Sequence, residues 1–239
     1  MSERALIGQH ARQFCDDLWQ RGDFWNFEGS EYERARCGRL LTMLDGRRYA
    51  RALEIGCGAG YFTRLLAGIA DQIVAFDIAP AAIARARTLG ADLRQVEFRV
   101  ANAMDYEWGA DGPWDLVVCS DTIYYLGWLY AFFDVAWFAA ELFAATRSGG
   151  RFLLANTMDE VGDKLLLPYL IRTYRDLFLN VGYRLEAEEI FRGTKNGVDF
   201  EILISLFAKA PEEGRCVSGR IGTGVPKPCA DTVAPEGAA

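Results

Sequence analysis

The chain has 239 residues, 51% of them hydrophobic, and carries 33 Asp and Glu against 26 Lys and Arg, a formal net charge of −7. That length and apolar content support one sizeable α/β domain; the acidic balance, with no Lys/Arg cluster interleaved with aromatics, argues against a phosphate-tracking face and against nucleic acid as a partner. The six cysteines, Cys15, Cys37, Cys57, Cys119, Cys216 and Cys229, form no C-x-x-C pair and have only His10 to join them, which argues against a disulfide framework and against a metal site.

The first residues lack an apolar core and a cleavage site, so the protein is expected in the cytoplasm. Residues 3 to 20 read as a helix and are followed by an irregular segment rich in rings, Phe24, Trp25 and Phe27 among them. These aromatics either pack the segment onto the main domain or, through Trp19, Trp25 and Tyr32, close a lid over a bound ligand. Ser30, with Glu33 three residues on, suits the N-cap of a helix over 31 to 44. Arg36 then lies one turn beyond Tyr32 on the same face. Residues 1–46 are read as a helical cap and 47–210 as the main domain.

Ala52 to Ile55 is an apolar run that enters Gly56, Gly58 and Gly60 and then a helical stretch from Tyr61, a strand, tight turn and helix. Glycines at this spacing let the backbone take positive φ and approach a ligand closely. The third glycine comes one residue earlier than in the dinucleotide fingerprint, and Glu54 precedes the first by two. Further strands are expected at 73–77, ending in Asp77, and at 95–100, 115–119 and 151–156. Helical patterns near 60–70, 80–89, 128–146 and 164–181 separate them, and this alternation predicts a parallel sheet with right-handed crossovers. Two strand-like runs, 183–192 and 200–209, flank Gly193 to Gly197 as a hairpin. The stretch Tyr124 to Phe143 is the most apolar but is interrupted by Asp134 and Glu141, unsuited to a bilayer. From 211 to 239 the chain holds four of its seven prolines and few large apolar residues, and is read as a disordered tail.

The pattern Glu54-x-Gly56-x-Gly58-x-Gly60, followed by a strand ending in Asp77, resembles the first motif of class I S-adenosylmethionine (SAM)-dependent methyltransferases. The run Phe24-Trp-Asn-Phe-Glu-Gly-Ser-Glu-Tyr-Glu33, the segment 47–86 and Ser120-Asp-Thr-Ile-Tyr-Tyr-Leu126 are similar to the rhizobial nodulation-factor N-methyltransferases. The resemblance implies a Rossmann-like seven-stranded sheet of order 3-2-1-4-5-7-6, its last strand antiparallel, flanked by helices. It also implies SAM as methyl donor and S-adenosylhomocysteine as product. On it, Glu54 shapes the turn near the methionine amine, Gly56, Cys57 and Gly58 line the methionine chain, Asp77 takes the ribose and Ile78 packs on adenine. Asn102 stands where the fold usually has an acid reading the adenine amine; Ala103 offers an N–H to the ring and Met104 an apolar wall. The Ser120 carbonyl takes the methionine amine, Arg36 its carboxylate, and Trp25 and Tyr32 close over the site.

Methyl transfer from a sulfonium depends chiefly on positioning, so a base need only accept a proton from the nucleophile. The candidates are Asp121 and Tyr124, then His10, with Asp121 equally suited to capping the following helix. Cys119 reads as buried strand. Ser120-Asp-Thr-Ile replaces the N/D-P-P-Y signature of DNA amino-methyltransferases. The expected acceptor is therefore a small molecule, first the amine of an amino sugar or oligosaccharide, as the resemblance implies, handled by a monomer or homodimer. An O-methyltransferase of a natural product and a non-catalytic SAM-binding regulator stand as the other readings.

Overall fold

The computed structural model describes residues 3–161 and 164–211. Two helices come first, α1 (Glu3–Gln20) and α2 (Glu31–Met43). Ser30 caps α2 as its sequence predicts, its Oγ accepting the Glu33 N–H at 3.3 Å. The main domain then runs β1 (Tyr49–Ile55), α3 (Tyr61–Leu66), β2 (Ala70–Asp77), α4 (Pro80–Leu89) and β3 (Val96–Val100). After a 3₁₀ turn at Ala103–Asp105 follow α5 (Trp108–Asp111), β4 (Trp114–Ser120), α6 (Ile123–Leu129), α7 (Phe132–Ala145) and β5 (Thr146–Val161). The chain closes through β6 (Lys164–Leu166), α8 (Pro168–Asn180), β7 (Arg184–Lys195) and β8 (Val198–Ala208). The tail expected from 211 lies, from 212 on, outside the described residues, as do Cys216 and Cys229.

The sheet order is β3-β2-β1-β4-β5-β8-β7, with the short β6 paired only to β5. Pairing is parallel from β3 through β5, and β8 enters antiparallel to both β5 and β7. Setting β6 aside as an addition on the end of β5, this is the seven-stranded order the resemblance implies. Side chains alternate between the two sheet faces. Leu53, Ile55, Val117, Phe152 and Phe207 join residues of α5 to α8 in one core; Ala52, Ile73, Leu116, Val118 and Ile204 join α2, α3 and α4 in the other. Such two-sided burial is why the central strands read as apolar runs.

The structure departs from the sequence reading in three places. The single helix expected over 128–146 is two, because Tyr130 and Ala131 are extended between α6 and α7. No glycine or proline marks the break. Tyr130 is buried and its hydroxyl accepts the Asn102 amide at 2.9 Å, a contact from distant chain that periodicity does not encode. The helix expected from 164 starts at Pro168, because 164–166 pair with the end of β5. The hairpin turn is tighter than the five-residue loop expected: Asn196 and Gly197 take φ of 53° and 77°, the left-handed pair a two-residue turn demands.

Candidate active site

The sheet reverses its winding direction between β1 and β4, and ligands gather at such a switch point, outside the carboxyl ends of the strands. There the ends of β1, β2, β4 and β5, together with α1, α2 and the β7–β8 turn, enclose a cavity of about 770 Å³. Its floor is the glycine turn. Gly56, Gly58 and Gly60 have φ of 72°, 53° and 81°, and the N–H groups of Gly56 and Cys57 both donate to the Phe76 carbonyl, at 2.8 and 3.0 Å. Asp77 braces the turn from the neighbouring strand: its Oδ2 accepts the Gly58 N–H at 3.0 Å and its Oδ1 the Ala79 N–H at 2.9 Å. Burial raises the pKa of this carboxyl, and the backbone donors oppose the rise. A carboxylate keeps acceptor capacity beyond these backbone donors, and Asp77 lines the cavity with Ile78 beside it.

Glu54 is 4% exposed and takes the Thr63 hydroxyl at 2.5 Å. Burial pushes its carboxyl up to about 8, against which the Thr63 hydrogen bond works. A carboxyl raised from an ordinary 4.5 contributes stability that is fully present below that pH and lost as pH climbs toward about 8. Glu54→Gln keeps the shape and a partner for Thr63 while removing the titration. Urea unfolding across that range is expected to show the wild type losing stability relative to the variant as pH rises; parallel profiles would refute the assignment.

Above the turn, four charged side chains alternate in sign. Lys195 Nζ donates to Glu33 Oε1 at 2.6 Å, and Arg36 Nε to Glu33 Oε2 at 2.8 Å. Arg36 Nη1 reaches Asp121 Oδ2 at 2.8 Å and Ser120 Oγ at 3.0 Å. Burial alone would lower the Arg36 pKa, but the Asp121 and Glu33 carboxylates hold it above the usual arginine value. Asp121, at φ 48°, completes the chain by accepting the Thr157 N–H and hydroxyl on Oδ1 at 2.8 and 2.9 Å. Lys195 also reaches the Trp25 carbonyl at 2.5 Å. Thus α2, the aromatic segment, the end of β4, β5 and the last hairpin are tied by one network.

Several expected site residues hold other posts. Asp121 does not cap α6, whose N-cap is Thr122, and its oxygens accept from Arg36 and Thr157. Tyr124 lines the cavity, its ring 4.7 Å from that of Tyr125, and burial pushes its hydroxyl pKa well up. His10 sits on the exposed side of α1, outside the cavity wall. The Asn102 Oδ1 expected to face adenine accepts the Met104 N–H at 3.1 Å, and its Nδ2 serves Asp105 and Tyr130. Met104 is buried in the core beyond the cavity, whereas Ala103 lines it. The Ser120 carbonyl already accepts the Thr122 hydroxyl at 2.9 Å. Cys57 is buried, its thiol pKa raised by burial. Trp19 lies on Gly58 and 5.0 Å from Trp25, which lines the cavity with Tyr32. Tyr169 is 64% exposed and is not among the lining residues.

Lys195 was not singled out by the sequence. Its signal was the alternation of β7: Glu189, Phe191, Gly193 and Lys195 share one face. Glu189 pairs with Arg39, Phe191 packs 5.8 Å from Tyr32, and Lys195 holds Glu33, all on α2.

A parallel sheet closed by an antiparallel hairpin, with a glycine turn after β1 and an acid ending β2, is the fold of the class I SAM-dependent methyltransferases. Residues 10–163 match the family model described as Nodulation protein S (NodS). The chain belongs to that family. Nodulation protein S of Rhizobium tropici is 32% identical over 106 residues, 44% of each chain, so the match spans less than half the length of that curated relative. A ubiquinone biosynthesis O-methyltransferase of Xanthomonas oryzae pv. oryzae is 29% identical over 153 residues, 63% of this chain and 56% of that one. Among solved structures, N-methyltransferase NodS from Bradyrhizobium japonicum WM9 in complex with S-adenosyl-L-homocysteine superposes with a TM-score of 0.69 at 20% identity, covering 83% of this chain and 98% of that one. Among the described residues no helix is long and apolar enough to cross a membrane.

Proposed function

We propose that the protein transfers a methyl group from SAM to the amine nitrogen of a small-molecule acceptor. The observation that carries this reading is the glycine turn. Its backbone forms the floor of the cavity, where a Cβ at Gly56 would meet Thr122 Oγ1 at 2.1 Å, and the acid at the end of β2 stands beside it. SAM fits these residues: Gly56, Cys57 and Gly58 would lie along its methionine chain, Asp77 and Ile78 at its ribose and adenine, and Arg36 and Ser120 at the charged amino-acid end. Bound there, it supplies a methyl group on an already activated sulfur. The chain's own work is to hold the acceptor in line, exclude water and let a proton leave. Asp121 orients Arg36 and β5 in this reading. Cys37, Cys57 and Cys119 carry reduced thiols among the described residues, in keeping with the cytoplasmic setting we propose.

The acceptor nitrogen contributes the electron pair of the new C–N bond; the C–S bond breaks with its pair left on sulfur, and an N–H proton leaves to solvent. An amine is favoured over a hydroxyl because no carboxylate described at the acceptor side is free to act as a strong base. Incubation with SAM and matched amines and phenols, read by product mass spectrometry, tests the reading. N-methylated product is expected; exclusive O-methylation, the chemistry named for the Xanthomonas relative, would replace it.

A further inference from the structure

The outer face of α7 carries none of the residues of the candidate site. Val135, Phe138, Ala139, Leu142 and Ala145 turn inward and are buried, which leaves Phe133, Trp137, Ala140 and Ala144 toward solvent. A surface helix ordinarily keeps polar residues on its outer side, and one that is apolar all round is a buried one. The two charged residues of α7, Asp134 and Glu141, stand together on one edge, lining a small cavity with Tyr106 and Trp108.

The exposed area is large. Phe133 is 86% exposed, Trp137 66%, Phe132 52% and Trp128 45%. At roughly 200 Å² for a fully exposed ring, these four present on the order of 500 Å² of apolar surface, a size at which patches mark interaction sites. The neighbouring helix α8 extends the patch: its Tyr174 packs 6.5 Å from Phe132, and Leu170, one turn earlier, is exposed together with Tyr169. With these and the two alanines the face approaches the ~800 Å² that each partner buries in a stable complex.

Charge and composition choose the occupant. From Ile123 to Thr146 the chain holds no Lys or Arg, so nothing on this face draws an anionic lipid surface. Residues 212–239 contain no aromatic residue, Leu or Met with which to cover it. A second copy of the same face does fit. In an antiparallel pair of helices related by a twofold axis, residue i faces j and j faces i. With the axis placed level with Phe138 and Ala139, Phe133 faces the partner's Ala144 and Trp137 faces the partner's Ala140. Each large ring then meets a small residue, the alternation by which facing helices interdigitate. The carboxylates of Asp134 and Glu141 fall at the rim, where water and salt screen them.

We propose that the outer face of α7 is the seam of a homodimer, packed antiparallel across a twofold axis with each aromatic seated on an alanine of the partner. The seam lies apart from the methyl-transfer cavity, since neither Trp137 nor Ala140 lines it.

The test is sedimentation of the full chain, wild type and two variants. The wild type is expected to form a reversible dimer with a Kd on the order of micromolar or tighter. Trp137→Lys removes a ring and Ala140→Glu sets a carboxylate against one, so each alone is expected to weaken association about tenfold or more. Mixed in equal amounts they place the new ammonium opposite the new carboxylate and keep one ring on one alanine, so association is expected to recover by about tenfold over either variant alone. Circular dichroism spectra superimposing on that of the wild type establish that both variants fold. A wild type that stays monomeric up to about 100 µM, a concentration at which a micromolar complex is nearly saturated, would overturn the proposal, as would capture of that monomer by neutral phosphatidylcholine vesicles. Undiminished association in both variants would move the interface to another face. Folded variants whose mixture associates no better than either alone would overturn the antiparallel pairing.

Discussion

Arg36→Met is expected to destabilise the protein by about 3–5 kcal/mol, the range for breaking one partner out of a buried ion pair. The side chain is 6% exposed and is the middle cation of the alternating network, bonded to Glu33 at 2.8 Å and to Asp121 at 2.8 Å. Methionine fills much of the volume, so packing is nearly conserved and the loss is electrostatic. Glu33 keeps Lys195 and Asp121 keeps the two Thr157 donors, but each carboxylate then has one cationic neighbour fewer in a poorly hydrated site. Asp121→Asn should cost less alone, because Arg36 retains Glu33. Combined, the two substitutions should cost less than their sum by 1 kcal/mol or more, on the order of couplings between residues in one network. Denaturant unfolding of the four proteins in the cycle measures this. Strict additivity would show that the Arg36–Asp121 contact does not couple the cap to the sheet.

How much of this was legible in the sequence divides along a physical line. The glycine turn, Asp77, the Ser30 cap and the crossover strands are local: each is set by a few consecutive residues whose φ preferences, capping chemistry or apolar runs point the same way. Their strand order followed from the resemblance and is the order observed. The partners of the site's charged residues are not local. Arg36 and Asp121 were each singled out, one for the cofactor and one as a base, yet they bond each other across 85 positions. Asn102 likewise stood in the expected place but turns its amide to Tyr130, 28 residues on. A motif locates a residue in the fold; it does not say whether a neighbouring element has already taken its hydrogen bonds. Lys195 shows the converse, since a strand extended by three residues beyond the expected boundary carried an unremarked lysine onto Glu33.

Gly56→Ala is expected to be the most damaging single methyl that can be added to the chain's floor, and the reason separates backbone strain from crowding. At φ 72° any L side chain carries the left-handed cost of about 1–2 kcal/mol. The new Cβ would also lie 2.1 Å from Thr122 Oγ1 and 3.1 Å from both Thr122 Cβ and Cγ2. Rotating Thr122 puts its methyl or its Hβ at that spot, breaks the hydroxyl's 2.9 Å bond to the Ser120 carbonyl either way, and leaves its Cβ at 3.1 Å from the new carbon. Relief must come from moving β1 and β4 apart where they are paired in register at Ile55 and Cys119. Overpacking of this kind costs a further 1–3 kcal/mol or so, and the displaced turn should cost S-adenosylhomocysteine affinity tenfold or more, about 1.4 kcal/mol in binding. Gly46→Ala supplies the control: its φ is 79° and nothing lies within 4 Å of the added carbon. It should show the backbone cost alone, with affinity intact. Equal melting shifts in the two variants would mean that Thr122 yields freely, and unchanged affinity in Gly56→Ala would remove the turn from the cofactor site.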